Sequence, residues 1–219
     1  TTHPQAICVD KMIHIAKEKY HADWVINVDA DEFWWTPLRN LKKAIGNYPH
    51  NNIIYVPLKN MVPEEGLTWI EWSNVVLNSI ENYEVEGLSK YSLYRSPIPK
   101  VIHRTQFYQI ISRGNHQVQM LFEASVLSKD IMIYHYPIRG YKHFENKTIR
   151  GGEAYLHNPN KTQGVHWRFW YSLYQKGALI NEFSRVIGID KISDFKKRGI
   201  IGTDIRFLKY LRVVCNNSK

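Results

Sequence analysis

The sequence predicts an α/β fold, a parallel sheet with helices on both faces. Three observations carry this. Val9, Met12, Ile13, Ala16 and Tyr20 recur at helical spacing, so residues 5–20 read as an amphipathic helix. A short turn, His21-Ala22-Asp23, leads into the apolar run Trp24–Val28. Helix, short turn and strand form half of a βαβ unit. That run is apolar on both faces apart from Asn27, as a strand covered on both sides must be.

The remaining elements follow the same logic. Pro37 to Tyr48 reads as a short helix with Leu38, Leu41 and Ile45 on one face, and Ile53 to Pro57 as a second strand. Lys59 to Ser96, rich in Asn, Glu, Trp and Tyr, reads as long loops with short strands. Lys100–His103, Phe107–Ser112, Val118–Phe122 and Ile131–His135 read as strands. From Tyr141 the pattern turns helical. Trp167, Trp170, Tyr171 and Tyr174 form a stripe expected to pack in the core, and Gly177 stands near a helix end. From Ile192 to Val214, apolar positions alternate with Lys196, Lys197, Arg198, Arg206, Lys209 and Arg212. That tail reads as a basic helical extension over 181–219, following a core over 1–180. Its expected role is a solvated face, with peripheral contact to anionic membrane as the alternative.

The chemistry gathers at Asp29-Ala30-Asp31-Glu32, at the carboxyl end of the first strand. Ligands of open α/β sheets bind outside that end. In an extended chain, residues i and i+2 point to the same side. Asp29 and Asp31 are therefore expected to converge on one ion, with Glu32 turned away. Carboxylate oxygens suit Mg2+ or Mn2+, ions that commonly sit on substrate phosphates. One imidazole would complete the set, from His116 or from His135, which ends a predicted strand. Arg139, Lys147 and Arg150 are candidate diphosphate contacts, because cationic side chains match phosphate oxygens.

Composition bounds the alternatives. The chain has 219 residues, 44% of them hydrophobic, and a formal net charge of +9. That is enough apolar material for a core, and a charge suited to anionic ligands. Two cysteines, Cys8 and Cys215, make neither a disulfide framework nor a zinc pattern and are expected to be buried thiols. With no signal-peptide series and no apolar run of about 18 residues, the expected location is the cytoplasm or the cytoplasmic face of a membrane. No Gly-x-Gly-x-x-Gly follows a strand and no Walker loop is present, which disfavours dinucleotide oxidoreductases and P-loop kinases.

The run Trp24-Val25-Ile26-Asn27-Val28-Asp29-Ala30-Asp31-Glu32-Phe33 resembles the Asp-x-Asp segment of GT-A type glycosyltransferases, in the family-2-like branch. Gly114-Asn115-His116, His135-Tyr136-Pro137-Ile138-Arg139, Phe144, Lys147 and His166-Trp167 fall in the order expected for that branch. The resemblance covers roughly residues 5 to 180. It implies a GT-A-like, Rossmann-like sheet and a nucleotide-sugar donor. It also implies a divalent cation, Mn2+ or Mg2+, and sugar transfer to a glycan or other hydroxyl acceptor, in inverting fashion. Asp31 would bind the metal directly, Asp29 through water or the donor ribose, and His135 or His116 would be the distal ligand. Glu32 is the expected catalytic base, ahead of Glu64, Glu65, Glu123 and Asp130. Only 28 residues precede Asp29, fewer than one βαβ unit of about 30 residues. The N-terminal strands of that fold are therefore expected to be missing, as in a fragment.

Two rivals stand beside this. Gly114-Asn115-His116 also resembles a piece of the calcineurin-like metallophosphatases, but their early Asp-x-His and Gly-Asp-x-x-Asp are absent. A non-catalytic basic domain for glycan or nucleic acid would use the 7 Trp and 14 Tyr for stacking. No RNA-binding motif accompanies them, so nucleic acid is not an expected partner.

Overall fold

The computed structural model describes residues 4–216, with side chains over 6–214. In chain order the first elements are α1 (Pro4–Tyr20), β1 (Trp24–Ile26), β2 (Glu32–Trp35), α2 (Leu41–Ile45), β3 (Ile53–Val56), β4 (Leu58–Asn60) and β5 (Asn74–Val76). There follow β6 (Lys100–Arg104), β7 (Tyr108–Ile111), β8 (Val118–Met120), β9 (Ser125–Leu127) and β10 (Met132–His135). The chain then runs through α3 (Tyr141–Leu156), α4 (Val165–Gln175), α5 (Leu179–Ile187), α6 (Ile192–Lys197), β11 (Ile201–Thr203) and α7 (Arg206–Asn216). The protein is therefore mixed α/β.

The chain divides into two compact units, one running up to Lys59 and resuming over Pro97–His135, the other holding Asn60–Ser96 and everything from Tyr136. The boundary expected after residue 180 falls inside α5.

In the first unit a four-stranded sheet runs β1-β6-β3-β9. Its β1–β6 and β6–β3 pairs are antiparallel, and β3–β9 is parallel. This corrects the parallel sheet expected from the sequence. After β1 the chain enters the other sheet as β2, so no crossover helix returns it beside β1 as a parallel neighbour. Moreover, β1 is an edge strand whose three residues are only half-buried.

Alternation along β3 explains why helices cover both faces. Ile53 and Tyr55 pack with Ile13 and Val9 of α1, while Ile54 and Val56 pack with Leu41, Ala44 and Ile45 of α2. Successive strand residues point to opposite faces, so α1 and α2 lie on opposite sides of the sheet. Met12 and Tyr20, read as part of the buried stripe, are exposed. So is Cys8, against expectation, while the Cys215 side chain lies outside the described residues. Asn40 caps α2, its side chain accepting the Lys43 N–H at 3.0 Å. This start leaves Leu38 outside the helix and exposed. A second sheet, β2-β10-β4, holds β2 and β10 antiparallel, with Glu32 opposite His135.

The second unit is built on α3 and α4, which approach closely because Gly151 faces Trp167 and Gly152 faces Tyr171. Phe144, Trp170, Leu179, Val186 and Phe195 form its core, as expected for Trp170. Within it Glu182 is buried, accepting from Trp170 Nε1 at 3.2 Å and from the Ser89 hydroxyl. The tail is not one helix. Gly199, at φ 70°, ends the α6 segment, and Ile201 enters a strand pair with Val76. A left-handed glycine is the common way to stop a helix. Arg198 is paired with Glu86 and Asp194, and Arg206 with Asp204. No helix among the described residues is long and apolar enough to cross a membrane.

Candidate active site

The acidic cluster is a turn, not an extended end of strand. β1 stops at Ile26, and the Glu32 N–H donates to the Asp29 carbonyl at 3.0 Å, closing a four-residue turn. The geometry expected of an extended chain therefore fails, and the two aspartates go to different partners.

Asp29 turns toward Lys100. The register of β1 against β6, Ile26 opposite Ile102, carries the first residue of β6 to the level of this turn. Lys100 Nζ donates to Asp29 Oδ2 at 2.6 Å and sits 2.9 Å from Glu32 Oε1. The Lys100 side chain is 5% exposed and that of Glu32 2%, against 42% for Asp29. The other Glu32 oxygen faces the Asp29 N–H at 3.4 Å. Burial alone would lower the Lys100 pKa, but bonds to Asp29 and Glu32 more than offset it and hold it above the ordinary value. Lys100 is thus an internal cation fixing two carboxylates.

Asp31 turns the other way. Its Oδ2 lies 3.8 Å from His135 Nε2, with both side chains about one-fifth exposed. This is too long for a hydrogen bond. It is within the span of two donors on one ion, each about 2.1 Å from it, which stand at most about 4.2 Å apart. The pair arises because β2 and β10 set Glu32 opposite His135, leaving Asp31 at the strand's mouth. A carboxylate oxygen and an imidazole nitrogen are ligand types that Mn2+ or Mg2+ accepts. Among the described residues no three metal-ligating groups gather at one point.

The other expected site residues are placed as follows. His116 Nδ1 lies 2.9 Å from the Pro99 carbonyl. A carbonyl only accepts, so this nitrogen carries the proton and Nε2 the lone pair. Its ring packs on Gly114, and it is not clustered with Asp31 and His135. Glu32, expected as the base, has no route to an acceptor hydroxyl while buried against Lys100. Glu64 is tied to Ser73 and to the Asn74 N–H, and Asp130 accepts from Asn47. Arg139 and Lys147 belong to the second unit. The Arg139 guanidinium lies over the Trp69 ring and 3.1 Å from His143 Nε2, while Lys147 Nζ donates to the Pro137 carbonyl at 3.1 Å.

Lys100 was missed by sequence reasoning. Its signal was a charged residue directly before the apolar pair Val101-Ile102 of a strand, since a buried ammonium demands an anionic partner. No family model matches this chain, and no curated protein matches it.

Proposed function

We propose that this chain carries the metal and nucleotide site of a GT-A-like glycosyltransferase, moving a sugar from a nucleoside-diphosphate donor to an acceptor hydroxyl. The observation supporting this reading is the Asp31–His135 pair, 3.8 Å apart and about one-fifth exposed, beside a turn where Lys100 holds Asp29 and Glu32. Asp31 and His135 would hold Mn2+ or Mg2+. When bound, that ion would offset the charge gathering on the leaving diphosphate. Asp29, partly exposed, stands where it can accept from a ribose hydroxyl or a metal-bound water. Lys100 and Glu32 position the turn and do not touch substrate.

In the transfer, the acceptor oxygen bonds to the anomeric carbon as the bond to the diphosphate breaks. The electron pair leaves on the diphosphate, and the hydroxyl proton passes to a carboxylate base.

Asp31→Asn tests this. The reading predicts an unchanged thermal melting curve and loss of manganese-dependent UDP binding in calorimetric titration, with EDTA abolishing the wild-type signal. Full binding by the variant would remove Asp31 from the site.

A further inference from the structure

A groove of about 440 Å3 opens on the β7–β8 hairpin of the first unit. Ile110 and Gln119, paired across the two strands, lie on one face of the hairpin and line it, together with Tyr55, Gln117 and Glu123. The volume lies within the range of small-ligand clefts, about 300–1,000 Å3.

The lining has the chemistry of a site for hydroxyl-rich ligands. Each glutamine amide offers two donors and an acceptor, and the carboxylate accepts. A sugar hydroxyl both gives and takes a hydrogen bond. The half-exposed Ile110 side chain supplies an apolar surface for the C–H face of a pyranose, and the partly buried Tyr55 also lines the groove. The Gln117, Gln119 and Glu123 side chains make no hydrogen bond to other described residues.

Charge narrows the ligand. The chain carries a formal +9, yet the groove lining holds one carboxylate and no lysine or arginine. A neutral saccharide fits such a surface, whereas an anionic glycan would meet Glu123 with no cation to offset it.

The groove is also tied to the acidic turn. Tyr55 pairs with Val101, next to Lys100. Gln117 follows His116, whose Nδ1–H donates to the carbonyl of Pro99, on the other side of Lys100. Both walls therefore fasten to the end of β6 that holds Asp29 and Glu32.

We infer that this groove binds a neutral saccharide and is the acceptor subsite of the transfer. The acceptor role rests on the proposed function; the saccharide binding does not. The whole chain is titrated with lactose, maltose, cellobiose, N,N′-diacetylchitobiose and a uronic-acid disaccharide, followed by saturation-transfer NMR. Gln117→Ala with Gln119→Ala, and separately Ile110→Trp to fill the groove, are the variants, with melting curves as the fold check. The inference expects at least one neutral disaccharide to bind, the uronate to bind less well, and each variant to lose most of the signal while keeping manganese-dependent UDP binding. Binding that survives both variants, preference for the uronate, or no binding by any neutral probe would overturn it. Saccharide binding at the groove without manganese-dependent UDP binding would overturn the transferase reading and the acceptor role, leaving a saccharide site.

Discussion

Lys100 shows how one residue decides what its neighbours can do. Its ammonium fixes Asp29 and Glu32, while Asp31 faces His135. Removing one partner of a buried pair costs about 3–5 kcal/mol, because the other charge stays buried without compensation. Lys100→Met should therefore lower stability by roughly that amount in urea unfolding, and Lys100→Met with Glu32→Gln should recover much of the loss. A double variant no more stable than the single one would mean the pair does not act as a unit. His103 makes a second residue-scale case. It is fully buried on β6, its Nδ1–H donates to the Arg104 carbonyl and its Nε2 has no hydrogen-bond partner among the described residues. Burial holds its pKa below the ordinary value, against a smaller opposing effect of that hydrogen bond. The unfolded chain thus binds the proton more readily. The stabilising contribution of the neutral ring is complete above about pH 6.5 and falls away below it, by up to about 1.4 kcal/mol per pH unit. Melting temperature against pH should show this acid loss in the wild type and a shallower one in His103→Phe. Parallel profiles would contradict it. His135 was legible as a strand-end residue and Asp31 only as part of an acidic cluster, whereas the Asp29–Lys100 bond spans 71 positions, and no local pattern reveals a partner so distant.

At the scale of elements, the helices and the strands of strong apolar character were readable, and their pairings were not. An apolar run looks the same in a parallel and an antiparallel sheet, so β1 was misread in direction. The strand β2 follows directly from a turn of acids, which masked it, and β11 was absorbed into an apparent helix because Ile201 and Ile205 happen to stand four apart. The α3–α4 contact depends on two glycines whose purpose the sequence leaves unstated. A Cβ on Gly152 would lie 2.3 Å from Tyr171 Cγ, at the fixed base of the ring. Alanine would gain up to about 1 kcal/mol of helix propensity, while overpacking costs about 1–3 kcal/mol. Overpacking wins, so Gly152→Ala should destabilise by about 1–2 kcal/mol in urea titration. A stabilised variant would mean the two helices can separate at no cost.

At the scale of the whole molecule, the formal charge of +9 is the property most apt to mislead. A basic chain collects nucleotides and polyanions without any built site, but such binding fades as salt screens it. A bridged cation between Asp31 and His135 should persist at high salt and answer to chelator instead. The basic tail, the composition and the fold class do not separate these cases; the ligand sphere of the ion does. The most direct test is therefore electron paramagnetic resonance of Mn2+ bound to the whole chain with UDP at high salt. The account predicts hyperfine coupling to one imidazole nitrogen and to diphosphate phosphorus, with the nitrogen coupling absent in His135→Gln. A spectrum of fully hydrated Mn2+, or a nitrogen coupling unchanged in that variant, would contradict it.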